Sequence, residues 1–169
     1  MRRGVKWTPP PPLGMESLPG GYRIFGFRVR ATKNRRVVAR ARGIWPWRWI
    51  DVGPHFFTLS LQMQEAVLLH EVGHLRAFHM EQRALLFPVA WTKWAIKVCH
   101  AQEFVADAFA VQRGYLIPLA LFLQRVAIPI WDRCPPEDEV WKRFYPHPAL
   151  RLAKLRGEFE EMGHVEAAD

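Results

Sequence analysis

The stretch His70-Glu71-Val72-Gly73-His74 decides how this sequence is expected to fold and what chemistry it can carry. On a helix, residues four apart lie on one face, one turn above each other, so both imidazoles can reach the same metal ion. The glutamate lies on the same side but is offset, so it can take a proton from a metal-activated water and pass it to a leaving amine. At ordinary residue usage, chance produces this pattern in about one chain in a hundred. The pattern therefore predicts a zinc site with His70 and His74 as ligands and Glu71 as the catalytic base.

The flanks of this stretch indicate that it lies on a buried helix. Val67, Leu68 and Leu75 are apolar, and Ser60 is well placed as the N-cap residue of a helix expected over residues 61–81. Polar side chains in such an apolar helix require partners, because burying them unpaired is costly. A metal ion is a partner of that kind.

A catalytic zinc needs a third protein ligand, and Glu103 is the best candidate in this chain. Glu103 and Asp107 are four residues apart in an apolar segment, so Glu103 can ligate zinc while Asp107 lies behind it and accepts a hydrogen bond from a ligating histidine. His100, one helical turn before Glu103, is an alternative third ligand. A metzincin would require a histidine at the position of Met80, and His79 is one residue short of it.

The rest of the chain predicts an α+β fold. Alternating apolar and polar residues predict short strands at 22–30, 36–42 and 45–52, and a short apolar run predicts a further strand at 56–59. Helical spacing takes over after residue 60. Further helices are expected at 85–112, with a bend or break inside it, at 118–126 and at 148–163. We therefore expect a small N-terminal antiparallel sheet followed by a mostly helical domain.

Length and composition favour one domain over residues 21–169, preceded by a flexible Pro- and Gly-rich arm over residues 1–20. The 169 residues are half apolar, which is enough material for a core and excludes disorder over most of the chain. The two cysteines cannot form a disulfide framework. The basic start runs into a proline run instead of an apolar stretch, so no secretory signal is expected.

Neither apolar stretch of the sequence is expected to span a membrane. Residues 85–99 contain Lys93 and Lys97, and residues 115–131 contain Arg125 and two prolines, so both fall short of about 18 to 20 uninterrupted apolar residues. We expect a cytoplasmic protein, either free or peripheral to a membrane.

A formal charge of +8 with eight tryptophans supports a second class of function. Aromatic side chains among cations, such as Trp45, Trp47 and Trp49, can stack on bases or sit among lipid headgroups. In this alternative the chain binds nucleic acid or an anionic membrane surface, and its metal site is structural or vestigial. Structural zinc sites usually have four protein ligands, however, and no fourth candidate is evident.

Three stretches, taken in order, resemble the gluzincin metallopeptidases of the HtpX-like heat-shock protease and CAAX prenyl-protein endopeptidase family. Residues 60–74 resemble the family's approach to its zinc helix. Residues 103–107 resemble its Glu-x-x-Ala-Asp segment, and His147-Pro148-Ala149-Leu150 resembles its His-Pro segment. With their spacers, these stretches span residues 45–155.

The resemblance implies a zincin-like zinc endopeptidase that cleaves extended or unfolded polypeptides. It implies that His70, His74 and Glu103 bind zinc, that Glu71 is the base and that Asp107 supports the ligands. It also implies that His147 stabilises the oxyanion and that residues 56–59 form the edge strand that pairs with the substrate. The chain departs from the family at Ala153, where the family has an arginine; Arg151 and Lys154 are the candidates to replace it. A second departure is the lack of a convincing membrane span, so the chain resembles a reduced, soluble form.

Overall fold

A computed structural model describes residues 16–18, 21–133 and 142–166. The expected arm falls mostly outside the described residues. Part of it is nevertheless folded, because Glu16–Leu18 forms strand β1, paired antiparallel with β2. The prediction that all of residues 1–20 lack a folded element was therefore wrong for these three residues.

The described residues between 16 and 52 form one five-stranded sheet. Its strands are β1 (Glu16–Leu18), β2 (Gly21–Ile24), β3 (Phe27–Ala31), β4 (Ala39–Ile44) and β5 (Trp47–Val52), in the spatial order β1-β2-β3-β5-β4. The sheet is mixed where an antiparallel one was expected, because β3 and β5 pair in parallel. After β3 the chain crosses to the outer edge of the sheet, where it forms β4. It then turns back and forms β5 between β3 and β4, so β4 is an edge strand.

The stretch expected as a fourth strand, residues 56–59, is not a strand. It belongs to a 3-10 helix, Pro54–Thr58, with Pro54 in its first turn. Proline fits there because it has no N–H to satisfy, and the Phe56 N–H donates to the carbonyl of Gly53. Phe56 is buried in the core between sheet and helices. The expected substrate-binding edge strand at residues 56–59 is therefore absent, and the two edge strands of the described sheet are β1 and β4.

The described residues after the sheet form six α-helices, so the expected α+β class is confirmed. They are α1 (Leu61–Arg76), α2 (His79–Leu86), α3 (Lys93–Val111), α4 (Leu116–Phe122), α5 (Ile128–Asp132) and α6 (Pro148–Glu166). A 3-10 turn, Phe87–Val89, follows α2, and a π turn, Leu123–Ala127, joins α4 to α5. None of the helices in the described ranges is long and apolar enough to cross a membrane.

The helix boundaries differ from the sequence prediction; the helix expected over 118–126, for example, is α4, Leu116–Phe122, followed by the π turn. The helix expected over 61–81 breaks at Phe78, whose φ of 58° lies in the left-handed region, and α2 leaves in a new direction. The break expected inside 85–112 lies at residues 87–92: α2 ends at Leu86, and α3 begins at Lys93, where the Thr92 side chain caps it by accepting the Ala95 N–H.

Helix α1 is the centre of the molecule. It packs on the sheet through one face, around Leu68 and Val72, and on α3, α4 and α6 through the other. Gly73 allows α1 and α3 to approach closely, because a Cβ added there would lie 3.0 Å from the Ala106 Cα. This close approach places the histidines of α1 beside the acidic residues of α3.

Candidate metal centre

Helices α1 and α3 bring His70, His74 and Glu103 together at the bottom of a cavity. The two Nε2 atoms of the histidines lie 3.2 Å apart. The His70 Nε2 lies 3.4 Å from Glu103 Oε2, and the His74 Nε2 lies 3.3 Å from Glu103 Oε1. All three side chains are buried, and their ligand atoms converge closely enough to hold a metal ion.

The other ring nitrogen of each histidine is held by a buried partner. His70 Nδ1 lies 2.8 Å from an Asp107 carboxylate oxygen, which is where the sequence placed a residue that orients a ligand. His74 Nδ1 lies 2.8 Å from Nδ1 of His79. With both Nδ1 atoms engaged, both Nε2 atoms face the point where the three groups converge.

His79 was set aside in the sequence because it does not lie on the face of an unbroken helix. The left-handed residue Phe78 redirects the chain and buries His79 beside His74. No pattern in the sequence marks that turn, since Phe78 is neither glycine nor asparagine, the residues that usually adopt this conformation.

Two arginines compensate the buried acids. Arg151, on α6, donates two hydrogen bonds to Asp107, at 2.8 and 2.5 Å, and one to Glu103 Oε2 at 3.3 Å. Arg83, on α2, donates to the other oxygen of Glu103 at 2.8 Å. Of the two residues expected to replace the arginine missing at position 153, Arg151 is the one beneath the site. Lys154 lies over the ring of Phe104.

These contacts set the ionisation of the three converging side chains. Burial lowers the pKa of His74 to about 4, so its ring stays neutral. Burial and Arg151 oppose a charge on His70, but hydrogen bonds to Asp107 and Glu103 raise its pKa to about 9. Burial alone would raise the pKa of Glu103, but His74, His70 and Arg151 hold it well below its usual range. Glu103 therefore remains an anion that can bind a cation.

Glu71 lies beside the triad, between helix α1 and the edge strand. Its Oε2 accepts the N–H of Ala41 in β4 at 2.6 Å. Burial is the largest cause raising its pKa, because the apolar surroundings disfavour the carboxylate. A carboxylate with a raised pKa, facing a cavity, has the properties needed to accept and return a proton.

The cavity over the site has a volume of about 500 Å³. Strand β4 contributes one side of it through residues 39–44, and the triad and Glu71 also line it. Met80, Arg83 and Tyr145 complete the lining. Sequence reasoning did not identify Arg83 or Tyr145, because neither belongs to a motif; the fold alone brings them here.

The two remaining histidine candidates lie apart from the triad. His100 is on α3, but its Nε2 lies 3.0 Å from the carbonyl of Arg143. His147 precedes α6, and its Nδ1 accepts the N–H of Ala149 at 3.1 Å, as an N-cap residue does. Neither residue lines the cavity.

Comparison of the chain with known protein families, with curated proteins and with solved structures finds no match.

Proposed function

We propose that this protein is a zinc-dependent endopeptidase in which His70, His74 and Glu103 hold the metal. The observation that carries the proposal is the spacing of the three ligand atoms, 3.2 to 3.4 Å. Around a tetrahedral zinc with bonds of about 2.0–2.1 Å, ligand atoms lie about 3.3 Å apart. Two imidazoles and one carboxylate are also a typical ligand set of catalytic zinc, which keeps a fourth position open. The cavity borders all three ligands and so provides that opening.

When bound, zinc would act as a Lewis acid that polarises a carbonyl and acidifies a water molecule. Glu71 accepts the proton of the attacking water and then donates it to the amine that leaves. Asp107 and His79 hold the two imidazoles in the orientation that presents Nε2 to the site. Arg151 keeps Asp107 and Glu103 ionised by placing a positive charge against both.

The edge strand provides a place for an extended substrate. On one side β4 pairs with β5, and among the described residues no strand pairs with its other side. The Ala41 N–H leaves that second side and reaches Glu71, so this edge faces the catalytic base. An extended polypeptide can add to such an edge through backbone hydrogen bonds, which select for unfolded segments and not for one side chain.

The experiment compares Glu71→Gln with Glu65→Gln, a second buried glutamate on the same helix. Zinc content is measured by elemental analysis, and cleavage is measured on a quenched-peptide library and on casein. We expect about one zinc per chain in wild type and both variants, with cleavage abolished only by Glu71→Gln. Glu103→Ala should lose both zinc and cleavage. A Glu71→Gln variant that cleaves as fast as wild type would refute the mechanism.

A second candidate function, which can coexist with the first, is attachment to an anionic membrane surface. The observation is a patch of exposed aromatic side chains, here called the aromatic patch. It consists of Trp45, Trp47, Phe87, Trp91 and Trp94, each more than 60% exposed. The Trp45 N–H donates to Glu81 of α2, so the β4–β5 turn lies against the helix whose end leads into Phe87 and Trp91.

The chemistry of the aromatic patch fits lipid headgroups. Tryptophan favours the membrane interface, and exposed Lys93 and Lys97 beside it are attracted to anionic lipid. Ile44, next to Trp45, lines the cavity, so attachment through the patch would hold the cavity near the surface. Double-stranded DNA offers a negative charge without an apolar layer for these rings.

Co-sedimentation with vesicles of phosphatidylserine and phosphatidylcholine tests the attachment. We expect binding to the mixed vesicles, weak binding to pure phosphatidylcholine, and loss of binding in Trp91→Ala/Trp94→Ala. Ile117→Ala, which alters an exposed apolar residue on α4, is the control and should bind normally. Equal binding by the double variant, or tighter binding to duplex DNA than to vesicles, would contradict the assignment.

A further inference from the structure

One face of the sheet is strongly basic. The helices pack on the other face, through Val29, Ala41 and Ile50, so the residues that alternate with these point away from the helices. The register places four arginines on this outward face, around Asp51 and Trp49: Arg28, Arg30, Arg40 and Arg42. Asp51 is the only acidic residue in the sequence between residues 21 and 52, so the outward face carries a surplus of positive charge.

Two of these arginines, Arg40 and Arg42, lie on edge strand β4 and share one acid. In both, Nε lies 3.6 Å from Oδ2 of Asp51, which is too long for a hydrogen bond. Their side chains are 39% and 50% exposed. Among the described residues, the buried Arg40 Nε has no hydrogen-bond partner. Two cations against one carboxylate therefore leave a positive charge at this edge, with a donor still to be satisfied.

The side of β4 away from β5 is where the proposed substrate strand would pair. The Ala41 N–H leaves β4 on this side to reach Glu71, whereas the backbone groups of Arg40 and Arg42 are directed to β5. Directly opposed residues share a face of a sheet, so substrate residues opposite Arg40 and Arg42 would also face outward. Their Cβ atoms would lie about 4.5–5.5 Å from those of the arginines, close enough for ion pairs.

We propose that Arg40 and Arg42 make the substrate site selective for polypeptides that carry acidic side chains at two positions, two residues apart. This inference rests on the proposed peptidase function. Backbone hydrogen bonds at the edge accept any extended segment, and the two arginines add the preference between segments. A strand with lysine or arginine at these positions would meet like charges directly opposite, which is destabilising, so basic segments are disfavoured.

The same charge attracts nucleic acid, but the outward face offers a base little to stack on at its centre. Bases bind to accessible aromatic faces in proteins that hold single strands. Here the Arg30 guanidinium lies over the Trp49 ring, 5.1 Å from its centroid, and the indole N–H donates to Asp51 at 2.9 Å. An acidic polypeptide needs no such ring, because β4 itself supplies its backbone partners.

The test uses a quenched fluorescent peptide of alanine and threonine with glutamate, glutamine or lysine at two positions, two residues apart. The pair is moved along the peptide one residue at a time. In the best register, we expect zinc-loaded wild type to have a kcat/KM about 2- to 30-fold higher for the glutamate pair than for the glutamine pair, as two cross-strand ion pairs provide. The lysine pair should be the poorest substrate. Arg40→Gln/Arg42→Gln should bring the ratio of glutamate to glutamine close to one.

Arg28→Gln/Arg30→Gln is the matched control, because it removes the same charge from the same face. These residues lie on β3, three strand spacings or about 14 Å from an added strand, whereas charges are screened over about 8 Å at physiological ionic strength. The control should keep the preference for glutamate. Equal loss of the preference in both double variants would show an effect of net charge alone and overturn the roles of Arg40 and Arg42. Circular dichroism confirms that each variant is folded.

Fluorescence anisotropy of the labelled peptides gives a second measurement that does not require cleavage. Wild type that cleaves the glutamate and glutamine peptides equally well in every register would overturn this inference alone. Wild type that cleaves nothing, yet binds the glutamate peptide more tightly unless Arg40 and Arg42 are replaced, would overturn the peptidase and support the acidic selectivity of this edge. No cleavage with equal binding would overturn both. Tighter binding of single-stranded oligothymidylate than of the glutamate peptide, lost in Arg40→Gln/Arg42→Gln, would assign the two arginines to nucleic acid instead.

Discussion

Replacing Arg151 by methionine should destabilise the protein strongly, because this side chain neutralises two buried acids. Its guanidinium makes three hydrogen bonds to Asp107 and Glu103, and each of those residues is only 2% exposed. Methionine fills similar space but cannot donate a hydrogen bond or carry charge. The two carboxylates would then lose a buried positive partner that water cannot replace.

The expected loss in the free energy of unfolding follows from the general cost of breaking a buried ion pair, about 3–5 kcal/mol. For a chain of this length, each kcal/mol lowers Tm by about 2–4 °C, so Tm should fall by about 6–20 °C. Saturating zinc should restore part of the loss, because a divalent ion bound at Glu103 neutralises one of the two acids. Arg151→Lys should give an intermediate result, since lysine keeps the charge but not the planar fork that reaches both acids.

Urea denaturation followed by circular dichroism, with and without zinc, measures the free energy of unfolding. Arg156→Met is the control: Arg156 is an exposed arginine on the same helix, and its replacement should change stability by less than about 0.5 kcal/mol. A loss below about 1 kcal/mol for Arg151→Met would refute the reasoning, because the carboxylates would then be compensated without it.

Two further predictions concern the helices that carry the site. Gly73→Ala should destabilise by about 1–3 kcal/mol and weaken zinc binding in a chelator competition, because the new Cβ would press against the Ala106 Cα and separate α1 from α3. Gly157→Ala, where a Cβ meets open space on α6, should instead stabilise by about 1 kcal/mol; equal effects of both changes in urea would contradict this packing argument. Ser60→Ala should lower stability by about 1 kcal/mol, because the hydroxyl caps α1 by accepting the Met63 N–H; an unchanged thermal midpoint would show that this bond contributes nothing.

The parts of the site that the sequence predicted are those in which helical spacing alone decides position. His70 and His74 share a face of α1, and Glu103 and Asp107 share a face of α3, because residues four apart always do so on a regular helix. Burial could also be inferred, since both segments are apolar around these residues. The sequence could therefore predict which side chains face the candidate metal centre, and the structure brings His70, His74 and Glu103 together.

The parts that the sequence did not predict depend on breaks in regular structure or on contacts between distant elements. Phe78 ends α1 in a conformation that phenylalanine seldom adopts, and this is what buries His79 and directs α2 and Arg83 towards Glu103. The short apolar run at residues 56–59 resembles a strand, but Pro54 starts a 3-10 helix instead. No local rule shows that β4 crosses to the edge of the sheet, because strand order is set by tertiary packing.

The arrangement of charges explains why so many ionisable groups can remain buried together. Around the three ligand atoms, the carboxylates of Glu71, Glu103 and Asp107 face the guanidiniums of Arg83 and Arg151. If all three carboxyl groups are ionised, they exceed the two guanidiniums by one negative charge. Burial raises the pKa of Glu71 and opposes that state, and a cation bound beside Glu71 would favour it. The raised pKa of His70 has the same origin, since an added proton would supply the missing positive charge. A metal ion between His70, His74 and Glu103 would supply that charge at the point where the three ligand atoms converge. The arginines and acids that contact these ligands are therefore arranged to favour a cation at this position.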